Sequence, residues 1–492
     1  MDLRQIIDGQ QRLTTLQIVI EAASDVCESL GQIASTHARE LRRLTRNDQR
    51  EENPDVIFKV WPTNVDRDQF RLVMSVTSAA EVQNYYADQL NIGVGHSIAK
   101  AYLFFHKKIT EWLSTPDTVI LKKKLDALQN AIYRGLIVVV IDLDDKDDAQ
   151  MIFETLNARG TPLLASDLVK NFILQYADDR GYKLDELYYR HWEFFDVTPF
   201  WRIKVQAGRR ELPQIELFLQ HYITVLTRDE VLVTNLFNTF RQYVKKHPEI
   251  DSATYMADLN RYGQIYKQFY DYPADTREGL FFRRIQDMEI TTIYPLLLIV
   301  FEKLGKPEFE KQRRAILTDL ESFLVRRMIC ELGTKNYNNL FLEAVKKFAD
   351  CDPNQLGSCL RGFLLEQTID ISKWPKDEEF EQAWSLIPAY QRFRSQKRLR
   401  MILEGLELQR RANARTEDLH LPKKKLSIEH ILPRGWTETN WPLPNDSEEA
   451  QVERLQLLHT FGNLTLVTGS LNSTLSNDPW GKKKETLKKY SI

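Results

Sequence analysis

Several common signatures are missing from this sequence. Its 492 residues hold four cysteines, Cys27, Cys330, Cys351 and Cys359, and none forms a Cys-x-x-Cys pair. A zinc knuckle and a disulfide framework are thereby disfavoured, and a reducing, cytoplasmic setting is the expectation. Charge of one sign is missing too: 67 Lys and Arg against 69 Asp and Glu leave a formal net charge of -2. The chain is no basic nucleic-acid coat, so any DNA contact has to come from local patches. The longest apolar run, Tyr294 to Phe301, is too short to span a bilayer, and no membrane partner is expected. There is no signal-peptide pattern, fixed-period repeat, low-complexity tract or Gly-x-x-x-x-Gly-Lys-Ser/Thr P-loop.

What is present is the balance of a globular protein, 43% hydrophobic and 28% charged, long enough for two or three domains. The start reads as a short strand and turn, Ile6-Ile7-Asp8-Gly9, feeding a long helix with Leu13, Leu16, Ile20, Ala23 and Val26 on its apolar spacing. Residues 41–54 read as an exposed charged break, and helical patterns resume from Asp66 to about Leu128. Gly135 to Asp142 is a β-branched run of the length of a buried strand. A helix carrying Phe153, Glu154 and Leu156 follows, then a turn at Asn157 to Pro162. The next helix opens at Ala165, with Ser166 or Asp167 as its cap. From Leu184 to Arg411 the pattern is amphipathic helix, broken at Pro213, Pro248, Pro273, Pro307 and Pro353. Three segments are expected: 1–183, a helical middle 184–411, and 412–492 after a polar linker.

In the last segment, Leu426 to His430 reads as a strand stopped by Pro433. A loop and a helix (about Ser447 to His459) precede a second strand at Gly462 to Val467, and a final helix begins near Leu471-Asn472. Strand, strand, helix with His430, Asn463 and Asn472 at those stations resembles the HNH, or ββα-metal, nuclease layout. Cutting a phosphodiester needs a base that titrates near neutral pH, which imidazole supplies. It also needs positive charge on the phosphate. The resemblance makes His430 the general base and Glu429 and Asn472 ligands of an oxygen-held Mg²⁺ or Mn²⁺. Asn463 would fix the imidazole by a hydrogen bond. Lys482, Lys483, Lys484, Lys488 and Lys489 form a basic end suited to DNA phosphates. Each feature alone is common in purely structural settings; their order and spacing carry the reading.

Further blocks make the resemblance specific. Glu429-His-Ile-Leu-Pro433, Gly462-Asn-Leu-Thr-Leu466 and Asn472-Ser-Thr-Leu-Ser-Asn477 with Trp480 to Lys484 resemble the nuclease half of GmrSD-type modification-dependent (type IV) restriction enzymes. Asp8-Gly-Gln-Gln-Arg-Leu-Thr-Thr-Leu16 is similar to the DGQQR motif of their other half, a ParB-like nucleotide-binding domain. Phe153 to Gly160 and Ser166 to Asn171 are similar to the same domain. Leu324-Val-Arg-Arg327 and Thr334-Lys-Asn-Tyr-Asn338 resemble the helical region between the halves.

The resemblance implies a mainly helical α+β fold with a ParB-like N-terminal domain, a helical middle and a C-terminal HNH domain. It also implies a nucleoside triphosphate site (GTP, UTP, ATP or CTP) that regulates DNA cutting. For that site the candidates are Asp8, Gly9, Gln10, Gln11, Arg12, Thr14, Asn157, Arg159 and Lys170. Backbone N–H groups at a helix N-terminus hold anions, and Arg12 offers a fork to phosphate. Asp167 as a plain cap and Lys170 as a solvated side chain are the alternatives at the second block. Family members carry strands before DGQQR, whereas seven residues precede Asp8 here, so the N-terminal domain is expected to be incomplete or to be completed by another subunit. The function implied is an endonuclease acting on foreign modified DNA, such as phage DNA, with a homodimer or partner subunit for double-strand breaks. A non-cutting nucleotide-binding regulator or scaffold, and a nuclease of broad specificity, are the alternatives.

Overall fold

A computed structural model of the chain describes residues 6, 9–47, 54–62, 66–86, 96–142, 164–207, 210–393, 395–414, 426–445, 447–475 and 477–490. Asp8, Asn157, Arg159 and the expected helix around Phe153 lie outside them. By its contacts the chain divides into two units, Met1–Pro162 and Leu163–Ile492.

In the first unit, helix α1 (Gln10–Ser29) is central, surrounded by α2 (Ser35–Arg42), α3 (Arg67–Ser75), α4 (Ala79–Tyr85), α5 (Ser97–Leu113) and α6 (Thr118–Asn130). Two clusters of apolar side chains use opposite sides of α1: Ile18 and Ala22 join Phe70 and Tyr102, while Ile20, Ala23 and Val26 join Leu41 and Leu125. A helix buried on both sides has no solvent face left for its charges. Glu21 and Asp25 are therefore buried, and each carries internal partners. The Tyr102 hydroxyl and the Arg42 guanidinium each donate to Asp25 at 2.6 Å; Thr45 donates to Glu21 at 2.7 Å, and Arg46 pairs with Glu21. The beginning of the expected exposed break is thus an inward-facing ion network at Arg42 and Arg46.

The run after α6 departs from expectation. Leu136 to Ile141 forms no strand, and Ile137 and Val139 are 85% and 80% exposed. Strand character alone does not bury a segment; a neighbour must offer its N–H and C=O groups, and among the described residues none does.

Burial pushes the Asp25 carboxyl from 3.8 up to about 6, although the Tyr102 hydrogen bond and Arg42 oppose the shift. Between those two pH values the folded state binds more protons than the unfolded state, so stability falls as pH rises through the window. The expected loss is about 3 kcal/mol across it. Urea unfolding at pH 4 and pH 7 should show this slope in the wild type and a flatter one in Asp25→Asn.

The second unit starts with α7 (Ala165–Asp178). Neither Ser166 nor Asp167 caps it by side chain; the N-cap position is Leu164, and the Ser166 N–H donates to the buried Glu216 carboxylate at 3.0 Å. A carboxylate at a helix N-terminus also suits the helix dipole. A short hairpin of β1 (Lys204–Ala207) and β2 (Arg210–Pro213) leads into α8 (Gln214–Thr227), α9 (Leu236–Lys246), α10 (Ser252–Asp271), α11 (Arg277–Met288) and α12 (Tyr294–Lys303). Helices α13 (Glu310–Ile329), α14 (Tyr337–Phe348) and α15 (Leu356–Leu365) follow. All five prolines named above fall at the junctions between these elements, as their missing N–H requires. The core is rich in aromatic side chains, including Trp192, Trp201, Phe218, Tyr266 and Phe269. At Gly263 a Cβ would stand 2.6 Å from the Phe195 ring, so only glycine fits there. The middle blocks singled out in the sequence prove structural. Arg327 is fully buried, donates to the carbonyls of Gly333, Ile371, Asp370 and Lys373, and lies over the rings of Phe323 and Tyr337. Among the described residues no helix is long and apolar enough to cross a membrane.

The unit ends with α16 (Asp377–Leu386), α17 (Ala389–Arg392), α18 (Gln396–Ala414), β3 (Leu426–His430), α19 (Glu448–Leu457), β4 (Leu464–Thr468), α20 (Gly469–Leu475) and α21 (Trp480–Tyr490). The strand, strand, helix order is the one expected, and the architecture is mainly helical α+β.

Candidate active site

Strands β3 and β4 are antiparallel, with Ile428 opposite Leu466, Glu429 opposite Thr465 and His430 opposite Leu464. Alternation sends Leu426, Ile428 and His430 to one face of this pair, and Ser427 and Glu429 to the other. The first face closes the helical core: Leu426, Leu464 and Leu466 join its cluster, and Trp384 of α16 stacks on Phe461 at 4.1 Å. On the second face Val467 packs with Leu471 and Leu475 of α20 and with Leu487 of α21.

Glu429 and His430 consequently meet different partners. The Glu429 carboxylate takes the Lys483 ammonium at 2.7 Å. That ammonium is fully buried and also donates to the His430 carbonyl at 2.7 Å. On the other face, the His430 ring meets the edge of Tyr390 from α17, with centroids 4.4 Å apart. His430 Nε2 lies 3.2 Å from Nδ1 of His459, a residue just beyond α19. Among the described residues its Nδ1 has no hydrogen-bond partner. Exposed Arg434, four residues along, places its guanidinium over the Tyr390 ring at 5.5 Å. Burial, then the neighbouring His459, Arg434 and Lys483, lower the His430 pKa to about 4, so the imidazole is neutral at physiological pH.

Asn463 does not reach this imidazole. Its carbonyl accepts the Leu432 N–H at 2.7 Å, and its amide donates to the carbonyls of Leu432 and Leu458 at 3.0 and 2.8 Å. With its own carbonyl accepting the Ile431 N–H, it clamps the backbone leaving β3. The amide is saturated by main chain, so Asn463 positions the loop rather than the ring. Asn472 sits half-buried on α20, which packs on the sheet. Lys483 is corrected from a DNA contact to an internal counter-ion. Lys482 is exposed and paired with Asp478 at 3.0 Å, and Lys484 lies over Trp480 at 5.9 Å.

The other candidate group is spread over both units. Gly9 has φ 93° and precedes α1, whose exposed start carries Gln10, Gln11 and Arg12 with Thr14 half-buried. The Arg12 guanidinium folds back over Gly9, within 3.7 Å of where a Cβ would stand. Lys170 belongs to the second unit, where its ammonium pairs with Asp196 at 3.1 Å and is neutralised there.

A family model described as the GmrSD restriction endonuclease N-terminal domain matches residues 2–174, and one described as the GmrSD restriction endonucleases C-terminal domain matches 374–492. The chain has the architecture of the GmrSD restriction endonucleases. This GmrSD-type chain is accordingly a DNA endonuclease of restriction and defence, a hydrolase with DNA as its substrate. No curated protein matches it. The C-terminal match begins ahead of α16, so Tyr390 belongs to the matched C-terminal segment along with His430 and Lys483. Sequence reading missed Tyr390, Arg434 and His459. The last two stand four residues from His430 and from Asn463 respectively, but neither pair shares a helix, so that spacing carries no signal.

Removing one partner of a buried ion pair strands the other charge. Lys483→Met should therefore lower stability in urea by about 3 kcal/mol, and Glu429→Gln/Lys483→Met should recover most of that. Equal stability of the single variant and wild type would contradict the internal role.

Proposed function

We propose that this endonuclease cuts foreign, modified DNA at His430, under the control of a nucleoside triphosphate bound by the DGQQR segment. The observation that carries the reading is a neutral imidazole at the end of β3, whose Nδ1 has no hydrogen-bond partner among the described residues, beside the exposed Arg434. Arg434 is placed to hold a phosphate oxygen. The negative phosphate then raises the basicity that burial and cations have lowered. His430 takes a proton from water at Nδ1, the water oxygen forms a bond to phosphorus, and the P–O3′ bond breaks. The leaving oxygen takes a proton from solvent, giving a 5′-phosphate and a 3′-hydroxyl.

The residues present do not form a ready Mg²⁺ or Mn²⁺ site. Glu429 already holds an ammonium, it faces away from the His430 ring, and among the described residues no three His, Cys, Asp or Glu cluster to hold a metal ion. Lys483 is the cation at Glu429 as the chain is folded. Cleavage assays therefore run with Mg²⁺, with Mn²⁺ and in EDTA.

The nucleotide reading is supported by the left-handed Gly9 ahead of α1 and by Arg12 curled over it, which bring helix N-terminal N–H groups and a guanidinium together.

His430→Ala should lower cleavage of modified phage DNA by at least about 100-fold with DNA binding retained; equal cutting by both proteins would end the assignment. Arg12→Ala should weaken triphosphate binding in calorimetry by roughly tenfold, and unchanged binding would remove Arg12 from the site. Modified and unmodified phage DNA, each with and without the four triphosphates, separate a modification-dependent enzyme from one of broad specificity.

A further inference from the structure

We infer that His459 is a positioning residue that fixes the tautomer of His430, making Nδ1 of His430 the nitrogen that accepts the proton. The inference rests on reading His430 as the general base.

The geometry allows two arrangements, and the base role selects one of them. His430 Nε2 and His459 Nδ1 are 3.2 Å apart, with the rings nearly perpendicular at 86°. Two neutral imidazoles in this contact share one hydrogen, and it belongs to one ring or the other. If His459 donates, the Nε2 lone pair of His430 is engaged and its Nδ1 carries the hydrogen, so no nitrogen is left to accept a proton. If His430 donates from Nε2, its Nδ1 lone pair is free, on the nitrogen that has no hydrogen-bond partner among the described residues. Only the second arrangement makes a base. After proton uptake the imidazolium still donates from Nε2 to His459, so the same contact serves before and after the transfer. This is the part that an orienting acceptor plays for a catalytic imidazole in general.

His459 is itself held from several directions. Its carbonyl accepts the Tyr390 N–H at 3.1 Å, and the Tyr390 ring lies nearly parallel to its own at 5.8 Å. The Asn463 amide grips the Leu458 carbonyl immediately before it, while Thr460 after it donates to Leu457 at 2.8 Å. Asn463 thus sets the two imidazoles through main chain on both sides, binding the exit of β3 and the exit of α19 to one amide. Burial and Arg434 disfavour protonation of His459, which leaves it neutral and therefore able to accept at Nδ1.

The test compares kcat and KM for DNA cutting in the full chain for wild type, His430→Ala, His459→Phe and His459→Asn, with DNA affinity and thermal unfolding alongside. Phe keeps a ring without nitrogen, and Asn keeps a polar group near the place of Nδ1. His459→Phe should lower kcat by on the order of 100-fold with KM within about twofold, and His459→Asn should recover most of the loss. Equal loss in the Phe and Asn variants would make His459 a packing residue and overturn the inference. So would an unchanged kcat in His459→Phe while His430→Ala is inactive. If His430→Ala cuts like wild type, the base assignment itself falls, and this inference with it. Nitrogen-15 shifts of the wild-type histidines provide a check independent of variant folding: they should report hydrogen on Nε2 of His430, and hydrogen on Nδ1 would overturn the proposal.

Discussion

Two strands by themselves are marginal in water, and β3 and β4 stand only because each face of the pair has something to lie against. Burying one face on the helical core and the other under α20 and α21 decides everything at the site. It brings Tyr390 to one side of β3 and Lys483 to the other. Side chains on a strand alternate, so two adjacent polar residues are delivered to two different environments. His430 receives rings and Glu429 receives an ammonium. The C-terminal segment is therefore continuous with the helices before it, through Trp384 on Phe461 and Phe393 nearby.

Much of this was legible in the sequence. Hydrophobic spacing marked α1, the proline breaks fell between helices, and β3 and β4 lie within a residue or two of where their patterns place them. Those features are local, and local chemistry enforces them. What escaped depends on distant chain segments meeting. Lys483 reads as one more lysine in a basic run, because spacing does not reveal that a single one of them turns inward. His459 sits at a helix end with no pattern of its own, and its meaning arises only when β3 returns beside it. Asn463 was recognised as important for the wrong partner: its amide serves carbonyls and an N–H of the main chain instead of the imidazole. The aliphatic run at Leu136 to Ile141 shows the converse failure, since strand-like composition says nothing about whether a neighbouring strand is there.

The near-zero net charge conceals a large internal traffic in charge. Glu21 and Asp25 face Arg42 and Arg46 in the first unit, and in the second Arg327 is buried among carbonyls and rings, and Lys483 between Glu429 and the His430 carbonyl. Isolated charges in such places are costly, and pairs of good geometry only offset that cost. What such pairs supply is direction. Hydrogen-bonded ions accept few arrangements, so they hold helices and loops in register where apolar contacts alone would allow slippage.

The counter-ion of Glu429 also has a bearing on how the protein is made. Lys483 follows His430 by 53 residues, so β3 is synthesised well before the lysine that neutralises Glu429. At about 5–20 residues per second this is a gap of several seconds. During it the strand carries an unpaired carboxylate, and the sheet lacks the cover of α21. A DNA-cutting enzyme is a hazard to the cell that translates it. Here the nascent chain passes that interval with its second face unsealed, and a product ending short of α21 lacks both the ion pair and the lid.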